Sequence, residues 1–271
     1  MFSNIENKFE KIGAKCEISI IADTTKAFSP QASPIRLDVI EKNGEEYFEV
    51  AVRANDADNI DLSVLEVRAK DRHLVLLARH LDENGKAISK DHFLCGHDER
   101  HLFVASVEAV STVAQAMASL KPQAIRVRET GLKTKKRNRR KNKNFVRQGE
   151  WFFVPAKVDP HPNRIYKNEP LVRGRGSKPH IAQFAFRQGG EAVKVCRAYP
   201  NGLTHKQYKA LIERNPKARN FAWRDMQRNA AVFVKGTVRH PDHATIMLNS
   251  WHNVLMNTER PTRGVVVAFL D

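Results

Sequence analysis

The chain has 271 residues, of which 41% are hydrophobic and 28% are charged, and its formal net charge at pH 7 is +16. This composition is typical of folded protein, and the length is sufficient for two domains. No run approaches the roughly 20 apolar residues of a membrane-spanning helix. The N-terminus has acidic residues where a signal peptide would have its apolar segment. We therefore expect a cytoplasmic protein without a membrane partner.

The first part of the chain, residues 1–125, is predicted to be an acidic α+β domain with mostly antiparallel strands. A capping-box pattern at Ser3 and Glu6 begins a short helix. Asn43-Gly44 lies between two alternating runs and predicts a hairpin, because both central residues of a type I′ turn need positive φ. Further strand pairs follow, and an amphipathic helix over 110–120 ends before Pro122.

The three cysteines of the chain are far apart. Their spacing predicts neither a zinc knuckle nor a disulfide framework. Cys95 begins a polar segment that ends at His101 and also contains His97 and two carboxylates. We interpret this segment as a turn between two strands, and a Cys–His nucleophile pair is the alternative.

A strongly basic run from Lys133 to Lys143 separates two halves of opposite charge. Eight of its eleven residues are Lys or Arg and none is acidic. Residues 1–120 hold 14 Lys/Arg against 20 Asp/Glu, whereas residues 121–271 hold 32 against 10. Because such a run repels itself and has no apolar side chain to bury, we expect an exposed basic arm or linker over residues 126–147.

The last part of the chain, residues 148–271, is predicted to be a basic, β-rich domain: a small barrel or sandwich with a helical insertion. Trp151 and the two phenylalanines after it are expected in the core. Thr204 caps a helix that ends at Arg214, and Pro216 is expected to begin a second helix that runs to about Asn229. Short strands are predicted over 180–187, 192–198, 231–238, 245–248, 254–257 and 264–270.

The positive charge of the second half indicates a polyanionic partner, either nucleic acid or an anionic membrane. Nucleic acid is favoured because the basic run has no apolar stripe that could enter a lipid surface. Lys and Arg can contact phosphates while nearby aromatic rings stack on unpaired bases. RNA is favoured over DNA because no helix has the pattern of a major-groove reader. The residues assigned to nucleic-acid contact are Lys133, Lys135, Lys136, Arg137, Arg139, Arg140, Lys141, Lys143, Arg147, Arg173, Arg175, Lys178, Trp223 and Arg224.

Three histidines, His180, His240 and His243, form the candidate catalytic set. The segment His240-Pro-Asp-His243 has three interpretations: a turn between strands, an acid–base pair acting on a phosphodiester, or a metal site. Pro241 keeps the two imidazoles off a single helix face, so we favour the turn and assign no metal ligands and no cofactor.

Two alternatives to a nucleic-acid-binding protein stay open. One is a histidine-dependent or metal-dependent nuclease acting on RNA. The other is an interaction or inhibitor protein whose charge occupies the nucleic-acid groove of a partner. The acidic domain is also a candidate for binding a protein partner, or for folding back over the basic surface.

Over about 147–250 the chain resembles a group of small bacterial proteins for which we know of no activity. Their pattern is Arg-Gln-Gly-Asp, then Gly-His-Ala-His, then His-Pro-Glu-His before Ile-x-Leu. The corresponding segments here are Arg147-Gln-Gly-Glu150, the stretch from Arg173 to Lys178-Pro-His180-Ile-Ala, and His240-Pro-Asp-His243 before Ile246-Met-Leu248. The middle motif has one histidine instead of two. The resemblance implies a self-contained β-rich second domain and supplies no activity.

Overall fold

The computed structural model describes residues 3–22, 33–173 and 178–259, apart from the side chains of residues 3, 134 and 135. It is a mixed structure, 20% helical and 52% strand. The described residues divide into two units, residues 3–139 with 257–259 and residues 140–256. Within the described ranges, no helix is both long and apolar enough to cross a membrane. The strand expected over 264–270 lies outside these ranges.

The first unit contains two open sheets and short helices. The helices are α1 (Ser3–Glu10), α2 (Val113–Ser119), α3 (Gln123–Arg128) and α4 (Thr134–Arg137), with 3₁₀ segments at Ala54–Asn59 and Ala69–Asp71. The strands are β1 (Lys15–Ile21), β2 (Ile35–Lys42), β3 (Glu45–Arg53), β4 (Ile60–Arg68), β5 (His73–Leu81), β6 (Ala87–Asp98) and β7 (His101–Val107). The sheet orders are β1-β3-β2 and β4-β5-β6-β7. Only β1 and β3 pair in parallel among these described strands, so the sheets are mostly antiparallel, as predicted.

Apolar side chains from both sheets and from α1 share one core. Phe9 of α1, Phe48 of β3, and Leu74 and Leu76 of β5 are fully buried in it. Removing a side chain of this size from water contributes about 1.5–3 kcal/mol. The first unit therefore has a core of its own.

The hairpin predicted at Asn43-Gly44 is confirmed. Lys42 of β2 pairs with Glu45 of β3 at the turn. The φ angles are 56° at Asn43 and 78° at Gly44, and both are positive, as a type I′ turn requires.

The segment expected to be an exposed basic arm or linker, residues 126–147, contains regular secondary structure. It contains the end of α3, all of α4 and the start of β8 (Val146–Gln148), and the division between the two units falls inside it, after Arg139. Leu132 and Phe145, which flank the basic run, are buried. The charge pattern did not indicate the burial of these two apolar side chains.

A buried ion pair also holds the first half of this segment. Lys121 is 4% exposed and its ammonium lies 2.9 Å from the carboxylate of Glu129, itself 5% exposed. The same ammonium donates to the backbone carbonyl of Arg137 at 2.8 Å and to the side-chain oxygen of Asn138 at 3.1 Å. Because a buried charge is stable only when it is paired and hydrogen-bonded, these bonds fix α4 beside α3.

The second unit contains two further open sheets and one longer helix. Its strands are β8, β9 (Trp151–Pro155), β10 (Tyr166–Leu171), β11 (His180–Gln188), β12 (Glu191–Cys196), β13 (Tyr199–Thr204), β14 (Arg224–Arg228), β15 (Ala231–His240) and β16 (His243–Met256). The helix is α5 (His205–Arg214), and 3₁₀ segments occur at Pro162–Arg164 and Pro216–Asn220. The orders are β10-β11-β15-β16-β9-β8 in the large sheet and β13-β12-β14 in the small one.

The barrel considered for the second unit is not supported, since none of the sheets among the described residues closes on itself. Both edges of the large sheet explain why it stays open. Strand β8 has three residues, and β10 contains Pro170, which has no N–H to donate to a further strand. Phe153 and Trp151 of β9 are buried in the core of this sheet, as expected.

One predicted helix of the second unit is confirmed and the other is wrong. Thr204 accepts from the amide of Gln207 and completes a capping box for α5. The helix expected to begin at Pro216 is only a short 3₁₀ segment, which is followed by β14. Residues of β14 pair with β12 instead, with Met226 opposite Val193, so sheet pairing overrides the helix-start signal of the proline.

Candidate functional site

The start of one strand and two turns of the large sheet meet at one place in the second unit. Strand β11 begins at His180, and His240 at the end of β15 pairs with His243 at the start of β16. The predicted turn at His-Pro-Asp-His is therefore confirmed. The turn between β8 and β9 lies against the same histidines through Gly149. Described residues from each of the three motifs, Gly149, His180, and His240 with His243, thus lie close together although they are far apart in the sequence.

The three imidazoles form a stacked cluster. The ring centroid of His180 lies 4.1 Å from that of His240 and 5.6 Å from that of His243, and the last two centroids are 4.6 Å apart. One nitrogen atom from each ring lies within 4.8 Å of one nitrogen atom from each of the other two. The structure therefore brings together the histidines of the candidate catalytic set.

Gly149 packs directly against two of these rings, where a side chain would not fit. A Cβ atom at this position would lie 2.8 Å from Nε2 of His243 and 3.4 Å from Nε2 of His180. Gly149 also has a φ of +56°, which L side chains rarely adopt. The absence of a side chain therefore lets the turn between β8 and β9 lie against both rings.

Neighbouring polar contacts fix the strand ends around the cluster. The buried amide of Gln148 donates to the backbone carbonyl of Ala244 at 2.7 Å. Lys178 pairs with Asp242 at 2.8 Å, which ties the segment before His180 to the turn between the other two histidines. This exposed ion pair is worth at most about 1 kcal/mol, so its main effect is on position.

His180 is buried without a partner. It is 1% exposed, and neither of its ring nitrogens has a hydrogen-bond partner among the described residues. A buried polar group left unsatisfied costs about 1–3 kcal/mol. Nδ1 of His240, in contrast, accepts from the amide of Asp242 at 3.1 Å, and its Nε2 lies 3.3 Å from the carbonyl of Lys178. His180 therefore lowers the stability of the fold, because the described residues leave both of its ring nitrogens unsatisfied.

Burial, and then the neighbouring charges of His240 and His243, lower the pKa of His180 from 6.5 to about 3. Burial and the charge of His243 also lower the pKa of His240. A metal-free acid–base pair needs one protonated imidazole at the working pH. His180 is neutral near pH 7 and hidden from a substrate, so the cluster suits a ligand for neutral imidazoles better than it suits proton transfer.

The basic residues assigned to nucleic-acid contact are distributed over both units. Five of those in the run have exposed side chains: Lys133, Lys136, Arg139, Lys141 and Lys143. The half-buried ones are Arg137, Arg140, Arg147 and Arg173. Lys178 is exposed and paired with Asp242. Arg175 and the side chain of Lys135 lie outside the part of the chain that the structure describes. Through its ion pair with Asp242, Lys178 lies beside the turn that carries His240 and His243.

Four aromatic side chains form a cluster on the small sheet and α5. Trp223 stacks on Tyr199 with ring centroids 5.7 Å apart, meets Tyr208 edge-on at 5.1 Å, and lies 6.1 Å from Phe221. The indole N–H of Trp223 donates to the backbone carbonyl of Ala218 at 2.8 Å. Trp223 therefore supports the fold, whereas Phe221, which is 38% exposed, is the most open ring of the four.

The segment that carries this aromatic cluster is also rich in cations. Residues 191–229, which we call the aromatic–basic layer, hold nine Lys/Arg against three Asp/Glu. The exposed cations are Arg197, Lys206, Lys209, Arg214, Lys217, Arg219 and Arg224. The ammonium of Lys194 lies 5.4 Å from the ring centre of Tyr208. The sequence analysis assigned only Trp223 and Arg224 of this layer to nucleic-acid contact. The other exposed cations of the layer were missed, although the lysines of α5 at solvent-facing positions were a signal for them.

Comparison with family models, with curated protein sequences and with solved structures finds no match to this chain. The resemblance to the small bacterial proteins stays a prediction that depends on the three motifs. Gly149 and Gln148 belong to the first of these motifs, and their place at the histidine cluster was not foreseen.

Proposed function

We propose that the protein binds nucleic acid, with RNA preferred over DNA, and that the aromatic–basic layer of the second unit makes the main contact. The observation that supports this most is that residues 191–229 combine an exposed aromatic ring, Phe221, with seven exposed cations. Such a surface can neutralise phosphates and stack on an unpaired base at the same time.

The charge balance of the second unit supports a polyanionic partner. Residues 140–256 hold 22 Lys/Arg and 7 Asp/Glu, a net charge of +15. So large an excess of one sign repels itself, and a phosphate backbone relieves the repulsion while releasing its own counterions. The exposed lysines and arginines of the basic run would extend the same contact.

The preference for RNA follows from the kind of surface. The longest helix described, α5, has ten residues and is preceded by a strand, not by the first helix of a helix-turn-helix unit. Rings that stack on bases require those bases to be unpaired, and RNA loops and single strands supply such bases. Stacking of one base on an aromatic ring is worth about 1–3 kcal/mol.

Two matched sets of charge variants test where the contact lies. The triple variant Lys206→Gln, Lys209→Gln and Lys217→Gln removes three exposed charges from the layer. The control triple removes three exposed charges from elsewhere in the same unit: Lys157→Gln, Lys167→Gln and Lys235→Gln. Affinity for a labelled single-stranded RNA is measured by fluorescence anisotropy in EDTA. We expect a loss of about 10-fold or more for the first triple and of less than about threefold for the control. Equal losses would contradict a defined contact surface.

Stacking has its own test. Phe221→Ala removes the open ring, and Met247→Ala removes an exposed apolar side chain, 60% accessible, from β16 of the same unit. We expect Phe221→Ala to weaken RNA binding by about 5- to 100-fold, as the loss of one stacked base implies, while Met247→Ala changes little. If both variants bind as the parent does, bases do not stack on this layer.

The cytoplasmic location, a protein partner for the acidic part of the chain and the role of an inhibitor of another nucleic-acid-binding protein stay predictions. RNA cleavage is measured in separate reactions without EDTA by following the length of the RNA. Intact RNA with and without added Mg²⁺, Mn²⁺ or Zn²⁺ is the result expected of a binding protein.

A further inference from the structure

We propose that His180, His240 and His243 bind a divalent transition-metal ion, with zinc as the ion that the donor set fits best. The site lies wholly in the second unit and does not depend on nucleic-acid binding.

The donor set comes first. One nitrogen from each of the three rings lies within 4.8 Å of the other two. Around a tetrahedral zinc, nitrogens about 2.0–2.1 Å from the metal are about 3.4 Å apart, so modest rotations of the rings bring three donors onto one ion. Three imidazoles suit zinc, copper, nickel or iron, whereas magnesium and calcium prefer oxygen donors.

His180 supplies the second, independent observation. It is buried, and among the described residues neither of its nitrogens has a partner. In a well-packed protein a buried imidazole is hydrogen-bonded or bound to a ligand. A metal ion at the cluster would satisfy the ring that the fold itself leaves unsatisfied.

Gly149 lets the backbone of the β8–β9 turn lie close to two of the rings. A Cβ atom at this position would stand 2.8 Å from Nε2 of His243 and 3.4 Å from Nε2 of His180. A methyl group here would therefore push against the ring of His243 and disturb the donor set. The positive φ of Gly149 alone does not explain the glycine, because asparagine residues elsewhere in this chain adopt similar angles.

His240 has the kind of hydrogen bond to a backbone carbonyl that metal-bound histidines make with the ring nitrogen that does not bind the metal. Its Nε2 lies 3.3 Å from the carbonyl of Lys178, and a neutral ring that donates there keeps its lone pair on Nδ1. A hydrogen bond of this kind fixes the tautomer of a ligating imidazole. Nδ1 of His240 now accepts a hydrogen bond from the amide of Asp242 at 3.1 Å. A metal ion bound at Nδ1 would take the place of this hydrogen bond.

The experiment uses the full chain, stripped with EDTA and returned to chelator-free buffer. Zinc binding is measured by competition with a coloured chelator. Cobalt(II) is titrated separately, because a tetrahedral cobalt site absorbs visible light much more strongly than the hydrated ion. We expect one equivalent of zinc per chain and a tetrahedral cobalt spectrum.

Two variants with matched controls locate the site. His180→Phe keeps an aromatic ring in the buried position but removes a donor, and its control is His252→Phe, which removes another buried imidazole of the same unit. Gly149→Ala places a methyl group against the ring of His243, and its control is Gly189→Ala, since Gly189 also has a positive φ, +71°, but no atom stands within 4 Å of its added Cβ.

We expect His180→Phe to lose zinc affinity by at least about 100-fold and Gly149→Ala by at least about 10-fold, with both controls within about threefold of the parent. A parent chain that binds neither zinc nor cobalt, or a His180→Phe variant that binds zinc as the parent does, would overturn the proposal. RNA affinity in EDTA should be the same for the parent and for His180→Phe, so this proposal and the proposed function can fail separately.

Discussion

His180 should make the second unit sensitive to acid when no metal is bound. Burial, followed by His240 and His243, lowers the pKa of its ring from 6.5 to about 3. Between these two values the unfolded chain carries a proton on the ring and the folded chain does not, so acid favours unfolding. The stability that depends on the neutral ring is present above about pH 6.5 and is lost as the pH falls toward 3.

The size of the effect follows from the width of that window. One proton taken up only by the unfolded state costs about 1.4 kcal/mol per pH unit, so lowering the pH from about 7 to about 4.5 should remove about 2–3 kcal/mol of stability. His180→Phe removes the titrating group and keeps a ring of similar volume. The stability of this variant relative to the parent should therefore increase by about 2–3 kcal/mol over the same range.

The assay is urea unfolding in EDTA, followed by tryptophan fluorescence. All three tryptophans of the chain, Trp151, Trp223 and Trp251, lie in the second unit, so this signal reports that unit alone. His252→Phe is the control, because it removes a buried imidazole but keeps the contribution of His180. If the parent and His180→Phe show parallel stability curves from neutral to acid pH, the inference from burial to acid sensitivity is refuted.

Two further predictions concern the first unit and are measured by thermal and urea unfolding with far-ultraviolet circular dichroism. Gly96→Ala should destabilise it by about 1–3 kcal/mol, because the new Cβ would lie 2.6 Å from the ring of His73 and 2.9 Å from a backbone carbonyl oxygen, whereas Gly131→Ala meets no atom within 4 Å and should be near neutral. Equal melting temperatures for both variants would contradict this. Lys121→Met should cost about 3–5 kcal/mol because it leaves the carboxylate of Glu129 buried and unpaired, and adding Glu129→Leu should recover much of the loss. A double variant no more stable than Lys121→Met would show that the unpaired charge is not the cause.

Local signals in the sequence predicted the turns and helix caps that depend on interactions between residues close together in the chain. Asn43-Gly44 predicted the hairpin, and Thr204 with Gln207 predicted the start of α5, because each turn or cap depends on residues within a few positions. The turn at His240-Pro-Asp-His243 was predicted for the same reason. These features need no knowledge of the rest of the fold.

Long-range pairing could not be predicted in this way. The β14 strand replaced an expected helix because β12 lies beside it, and the basic segment is folded because Phe145 and the buried pair of Lys121 and Glu129 hold it. Charge patterning gives the tendency of an isolated segment, whereas a core neighbour distant in the chain can outweigh it.

The candidate site was predicted in part. His180 was grouped with the two histidines of the turn, and the structure brings the three rings together. The role of Gly149 could not be read from the chain, because a glycine in a turn is expected on backbone grounds alone. Only the positions of the neighbouring Nε2 atoms show that a side chain at this position would press against the histidine rings.

The salt dependence of RNA affinity tests the proposed function most directly. A labelled single-stranded RNA and a DNA of the same sequence are titrated with the full chain in EDTA at several salt concentrations. We predict binding that is tighter for RNA, and a logarithm of affinity that falls linearly with the logarithm of salt concentration, by about 0.7 for each phosphate contact. Several of the seven exposed cations of the aromatic–basic layer should contact phosphates, so the predicted slope is about −2 to −5. Absence of binding at the lowest salt, where attraction between this layer and phosphates is strongest, would contradict the proposal.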